Sequence, residues 1–368
     1  MATRASLCIE GTMAPVTEVL ILDARRPDPA GIARAAGILR AGGLVAFPTE
    51  TVYGLGAYAL DADAVTRVFA AKGRPAADPL IVHVHHIGAL AALTTRVPDT
   101  ATALASRFWP GPLTMVLHRS DVVPREVTAG LDTVAIRVPA HPIAHALITA
   151  AAVPIAAPSA NLFSRPSPTR AEHVLQDLKG RIDLVIDGGP TTVGLESTVI
   201  DLTDSIPTVL RPGAVTLEMI RMVLPDARLA EQGPSEPAGG LKSPGLLTRH
   251  YSPRAPLTLY EGISARVIAR VAVDARAAIA RGQRVGIVAA DEDDLSEASH
   301  DALRVIRLGP ERNVAALAAN LYNALRTLDA AGVDLILART FADQSGLTVA
   351  IHDRLRRAAA GRIVQVDA

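Results

Sequence analysis

The chain has 368 residues, 49% of them apolar and 3% aromatic, with 37 Lys plus Arg balanced by 37 Asp plus Glu. That length predicts two domains packed mainly by aliphatic side chains, and the charge balance excludes a global field drawing the protein to nucleic acid or membrane. The single cysteine, Cys8, excludes an internal disulfide framework and a cysteine-based zinc site.

Residues 1–15 carry no pattern and no apolar run long enough for a signal peptide; they read as an extension in which Met13 is an alternative start. A strand-like run at 19–23 precedes helical spacing over 29–41, with Ile32, Ala36 and Leu39 on one face and Gly42-Gly43 as a stop. The apolar strand 44–47 then breaks into PTETVYGLG (48–56), a turn carrying hydroxyls, a carboxylate, a phenol and two glycines. Such a turn either builds one wall of an α/β ligand site or caps the next helix.

Asp61 caps a helix running to Ala71, and a strand follows at 80–84. Helices at 97–106, 143–151 and 170–178 alternate irregularly with strands at 114–118, 133–138, 153–156, 184–186, 197–201 and 209–211. The expectation is an α/β domain with a mixed, twisted sheet over residues 16–223. Residues 224–256 are rich in Gly, Pro, Ser and Glu and read as a linker. Beyond it, strands at 257–260, 285–289, 302–307 and 335–338 and helices at 265–281, 314–331 and 351–360 predict a smaller Rossmann-like α/β domain over 257–368. The most apolar stretch, 145–158, is interrupted by Pro154 and is too short to span a bilayer. No membrane association and a cytoplasmic location are expected.

Several polar clusters fall at predicted strand ends. Lys72-Gly73-Arg74-Pro75 sets two cations on a stiff loop, which suits polyphosphate or, equally, a solvated helix end. His83 alternates with Val82 and Val84, so it is either a satisfied core histidine or a group facing a cleft. Thr133 and Arg137 share a strand face, and Arg137 in an apolar strand needs an anion, from a ligand or from a structural carboxylate. Ser159 and Asn161 end another strand, Ser167 sits between prolines, and Arg211 closes a further strand. Glu196-Ser197-Thr198 opens one. The Trp109-Pro110-Gly111-Pro112 run reads as a packing corner. No Walker A sequence, GxGxxG, HExxH or GxSxG is present. Cations, hydroxyls and amides remain, an inventory that suits binding a nucleoside triphosphate, with Mg2+ held through its phosphates rather than by protein side chains.

These motifs together resemble the YrdC-like family, in its long two-domain branch of threonylcarbamoyl-AMP synthases. The carriers are PTETVYGLG (48–56), KGRP (72–75) with PLIVHV (79–84), WPGPLT (109–114), AGLDTVAIRVPAHP (129–142), PSAN (158–161), ESTVID (196–201), LRPG (210–213) and SPGLLTRHYSP (243–253). The resemblance implies a nucleotidyltransferase that turns L-threonine, bicarbonate and ATP into threonylcarbamoyl-AMP and pyrophosphate, the product feeding a tRNA threonylcarbamoyltransferase. It assigns Thr51, His83, Arg137 and Ser197 to threonine, and Arg74, Asp78, Thr133, Ala157, Ser159, Asn161, Ser167, Arg211 and Tyr251 to ATP. Lys72 and Arg74 would carry the catalytic charge, and the linker would close over the site as a lid through Tyr251. Two rivals are a carbamoyl-adenylate-forming enzyme, whose relatives carry cysteine zinc fingers, and a non-catalytic double-stranded RNA or tRNA module using the Lys72–Arg74 groove. Neutral net charge argues against the second, although a local RNA contact survives that objection.

Overall fold

Asp61 caps the second long helix as expected from the sequence, and Asp28 caps the first in the same way. The Asp28 side chain accepts the Gly31 N–H at 2.9 Å, and that of Asp61 accepts the N–H groups of Asp63 and Ala64. The computed structural model describes residues 16–230 and 250–366. In chain order the first part contains β1 (Glu18–Ile21), α1 (Pro29–Arg40), β2 (Val45–Pro48), β3 (Tyr53–Tyr58), α2 (Ala62–Lys72), β4 (Ile81–His83), α3 (Leu90–Leu93) and α4 (Asp99–Phe108). It continues with β5 (Leu113–His118), α5 (Arg125–Thr128), β6 (Thr133–Arg137), α6 (Pro142–Ala151), β7 (Ile155–Ala156), α7 (Ala171–Leu178), β8 (Leu184–Asp187), β9 (Thr198–Asp201), β10 (Thr208–Arg211), α8 (Leu217–Arg221) and β11 (Arg228–Leu229). The second part contains β12 (Leu257–Gly262), α9 (Ser264–Ala280), β13 (Val285–Ala289), β14 (Leu303–Arg307), α10 (Val314–Ala330), β15 (Leu335–Arg339), α11 (Leu347–Ala359) and β16 (Ile363–Val366).

The first eleven strands form one mixed sheet in the order β1-β8-β2-β3-β7-β4-β6-β5-β9-β10-β11. Helices α1 and α6 cover one part of it through Ile32, Leu39, Leu147 and Ile148. A larger apolar cluster, including Val65, Leu104, Ile136 and Val174, fills the other side. The second sheet, β14-β13-β15-β12-β16, has parallel pairing throughout. Helices α10 and α11 pack together and turn toward the first domain, where Leu321 and Ile351 share a cluster with Val52 and Leu195. This is the expected mixed α/β domain followed by a smaller parallel α/β domain.

Differences from expectation lie where strands are short or rich in glycine. Residues 53–58 form β3, antiparallel to β2, so the turn in the PTETVYGLG stretch shrinks to residues 49–52. Low strand propensity hid β3, yet Gly56 is required there: a Cβ would stand 2.8 Å from the Phe47 ring and 3.0 Å from Ile155. The strand expected at 153–156 covers Ile155–Ala156 only, the closing helix begins at Leu347, and β16 follows it. The linker expected at 224–256 and the SPGLLTRHYSP motif lie partly outside the described residues, and the extension at 1–15 lies wholly outside them. No helix among the described residues is long and apolar enough to cross a membrane.

Candidate active site

Thr51 lies in the β2–β3 turn and Arg137 at the end of β6, three strands away from β3 in the sheet. Strands are spaced about 4.8 Å apart, so a flat sheet would hold their backbones roughly 14 Å apart. Arg137 Nη1 nevertheless donates to Thr51 Oγ1 at 2.9 Å. The length of the Arg137 side chain, with Thr51 carried on a turn rather than in a strand, spans that distance and walls a cleft.

The cleft is lined by Thr51, Gly54, Arg74, His83, Arg137, Ala157, Ser159, Glu196, Ser197, Arg211, His250 and Tyr251, with Thr49, Val52, Ile81 and Pro158 filling the gaps. Nine of the positions expected from sequence meet here: Thr51, Arg74, His83, Arg137, Ala157, Ser159, Ser197, Arg211 and Tyr251. Five stand behind the lining. Lys72 Nζ donates to the carbonyls of Ser159 and Asn161, so it holds the turn that presents Ser159. Asn161 ties the same loop by donating to the carbonyls of Leu162 and Arg165. Asp78 pairs with Arg74 at 3.0 Å, and Ser167 donates to Glu196 Oε1 at 2.5 Å. Thr133 lies at the far end of β6 from Arg137, opposite His118.

At one pole, register places His83 beside Arg137 and Arg137 beside Thr114, while Thr114 Oγ1 and Ser197 Oγ share a hydrogen bond of 2.8 Å. Arg137 spends its guanidinium on three neighbours: Nε on the Gly111 carbonyl at 3.1 Å, Nη1 on Thr51, and Nη2 in a 2.6 Å ion pair with Glu50. The anion that Arg137 requires is thus a structural carboxylate. Burial alone would raise the Glu50 pKa, but the Arg137 charge and hydrogen bond outweigh it and hold the carboxyl below its ordinary range. Burial, reinforced by Arg137, pushes His83 down to about 3, so its ring is neutral at physiological pH.

At the other pole, Arg74 donates to the carbonyls of Asp78 and Pro79, and Arg211 donates through Nε and Nη2 to the Ser197 carbonyl at 3.1 and 3.0 Å. Tyr251 is buried with φ of 58°, a left-handed conformation uncommon for a non-glycine residue. Its hydroxyl has no hydrogen-bond partner among the described residues. Burial raises its pKa to about 12, so the phenol keeps its proton. Two titratable lining residues, Glu196 and His250, were given no site role from the sequence. Glu196 stood in a recognised motif, and its acidity was the missed signal: a buried carboxylate demands a partner.

Buried guanidinium groups at both poles, a neutral imidazole and several hydroxyls define a small-molecule site of an α/β fold suited to anionic ligands. Among the described residues no cluster of three or more His, Cys, Asp or Glu is arranged to hold a metal. The sequence matches the family profile described as telomere recombination (Sua5/YciO/YrdC) over residues 37–213, and that for the C-terminal domain of threonylcarbamoyl-AMP synthase over residues 215–360. Threonylcarbamoyl-AMP synthase of Pyrococcus abyssi is 48% identical over 332 residues, covering 90% of this chain and 95% of that protein. Its Bacillus subtilis counterpart is 46% identical over 335 residues, covering 91% and 94%. The crystal structure of P. abyssi Sua5 complexed with L-threonine matches with a TM-score of 0.89 at 46% identity, over 95% of this chain and 100% of that one. The chain belongs to the threonylcarbamoyl-AMP synthase family.

Proposed function

We propose that the protein is an L-threonylcarbamoyladenylate synthase, joining L-threonine, bicarbonate and ATP into threonylcarbamoyl-AMP and pyrophosphate. The observation that carries this reading is the meeting of two sets of groups in one cleft: Thr51, His83, Arg137 and Ser197, and Arg74, Ser159, Arg211 and Tyr251. Threonine's carboxylate would share the Arg137 guanidinium with Glu50, because that group carries five N–H donors and Gly111, Thr51 and Glu50 engage three of them. The neutral His83 adds no competing cation and offers a ring nitrogen to the amino acid.

The amine of threonine and bicarbonate give a carbamate and water. A carbamate oxygen then attacks the α-phosphorus of ATP, and the bond to pyrophosphate breaks. Arg74 and Arg211 offset charge growing on the phosphates, a task that needs fixed donors rather than a protein nucleophile. Lys72 contributes by fixing Ser159. Mg2+ would arrive on the triphosphate and neutralise part of its charge. Tyr251 and His250 close the cleft from the C-terminal side, and a dry cleft protects a labile carbamate and mixed anhydride. The consumer of the product would be a tRNA threonylcarbamoyltransferase, placing the protein in the cytoplasm.

Pyrophosphate release from ATP, measured with and without L-threonine in bicarbonate buffer, tests the reading. Release that needs threonine is expected; release indifferent to threonine would sink it. Salt-sensitive RNA binding without turnover would point instead to the RNA-module rival.

A further inference from the structure

Glu196 is a buried carboxylate in a cleft proposed to receive a triphosphate, where an uncompensated anion would repel the ligand. Its partners come from both domains. Ser167 donates to Oε1, while Oε2 accepts from Tyr322 Oη and Arg354 Nε, each at 2.9 Å. Tyr322 lies on α10 and Arg354 on α11, and both are shut from solvent. Burial would raise the Glu196 pKa, yet the charges of Arg354 and Arg211 and the Ser167 hydrogen bond bring it to about 2. The carboxylate stays ionised and neutralised in place.

We propose that the C-terminal domain completes the substrate cleft, Arg354 and Tyr322 acting through Glu196 as positioning residues for Ser167, Ser197 and Arg211. The chain of contacts is short. Ser167 is bonded to Glu196 directly, Ser197 is the next residue, and Arg211 hangs on the Ser197 carbonyl and hydroxyl. Arg354 also lies 5.3 Å from the ring centre of Tyr251, and the Tyr251 and Tyr322 rings are 5.5 Å apart. The domains meet too closely here for a loose tether. A Cβ at Gly194, two residues before Glu196, would fall 2.4 Å from Ala319 Cα on α10. Asp353 in turn binds Arg354 Nη1 at 2.7 Å and so fixes the guanidinium before any ligand enters.

This inference rests on the proposed reading that the cleft binds ATP but not on the reaction, because ATP affinity can be measured by calorimetry on the full chain without turnover, and an unmodified protein that binds no ATP would overturn it. Tyr322→Phe removes one hydroxyl at constant shape, and the expectation is ATP affinity lowered at least threefold in a chain that still unfolds in one cooperative transition, its midpoint lowered by the loss of one buried hydrogen bond. Arg354→Met leaves Glu196 uncompensated and should weaken ATP at least tenfold. Adding Glu196→Gln removes the stranded charge while keeping one acceptor oxygen and an amide N–H that the other hydroxyl can accept, so the double variant should recover at least threefold over Arg354→Met. In turnover the losses should fall on KM for ATP more than on kcat. Wild-type ATP affinity in Tyr322→Phe, or no recovery in the double variant, would overturn the proposal; if Arg354→Met fails to fold, Tyr322→Phe decides alone. Absence of threonine-dependent pyrophosphate release in the unmodified protein would overturn the proposed reaction and leave the affinity comparison intact.

Discussion

Arg137 Nη2 stands 2.6 Å from Glu50 Oε1 at the wall of the cleft, and both side chains are almost wholly buried. An incoming carboxylate therefore meets a guanidinium that is already paired, oriented and short of water. Its fork also serves Thr51 and Gly111, so one planar group fixes three parts of the wall. Arg137→Lys keeps the charge but cannot reach all three acceptors. The expectation is threonine affinity reduced at least tenfold, together with about 1–3 kcal/mol lost in urea unfolding as buried acceptors go unpaired. Calorimetric titration with L-threonine reads the first effect, and unchanged affinity would remove Arg137 from the threonine site.

Lys72 is predicted to act through structure. Burial, then the nearby Arg74 charge, drives its pKa well below the ordinary lysine value, and its nitrogen bonds the carbonyls of Ser159 and Asn161. Lys72→Met would leave two buried carbonyls without a donor, costing roughly 2–6 kcal/mol in urea unfolding at about 1–3 kcal/mol each. Turnover should fall with it because Ser159 loses its support. Full stability combined with lost turnover would instead indicate a lysine that touches phosphate directly.

The strand-end placement of Thr51, His83, Arg137, Ser159 and Arg211 was legible in the sequence because each polar residue interrupts an apolar run that has a recognisable period. What brings Thr51 to Arg137 is strand order, which sets β7 and β4 between β3 and β6, and strand order leaves no local pattern. The glycines of β3 disguised a strand as a turn, although Gly56 is there to make room for the Phe47 ring. The contribution of Tyr322 and Arg354 was hidden for another reason. Their partner Glu196 lies 126 and 158 residues away, and no periodicity reports so distant a contact.

Tyr251 combines a left-handed backbone, complete burial and an unpartnered hydroxyl at the cleft. Such a conformation costs on the order of 1–3 kcal/mol, and the ring contacts with Tyr322 and Arg354 help offset it. Tyr251→Ala should leave the far-ultraviolet circular dichroism spectrum unchanged while lowering the yield of threonylcarbamoyl-AMP, because water gains access to the cleft. Tyr251→Phe should unfold at the same urea midpoint or a higher one, since a buried hydroxyl without a partner contributes nothing to stability. A lower midpoint for Tyr251→Phe would show that the hydroxyl is bonded, and undiminished product yield in Tyr251→Ala would remove the closing role.

Acid should destabilise the protein before its carboxylates titrate. His83, His173, His250 and His352 are all buried. Burial is the leading cause that takes His83 and His250 down to about 3 and His173 and His352 to about 4, from an ordinary 6.5. Because the folded values lie below the unfolded ones, the unfolded chain binds more protons as pH falls from 6.5 toward 4. Stability is fully present above 6.5 and is lost through that window, by up to about 1.4 kcal/mol per pH unit for each histidine. Glu196 adds a loss of the same sign below about 4.5, its ordinary value, as pH approaches its folded value of about 2. Urea midpoints should therefore be level between pH 7 and 8 and decline steeply from pH 6.5 to 4.5. His352 accepts the Phe341 N–H through Nε2, a bond that a glutamine carbonyl can imitate. His352→Gln should thus flatten the slope by close to one proton, and a profile as steep as the parent's would mean that this histidine is protonated in the folded chain.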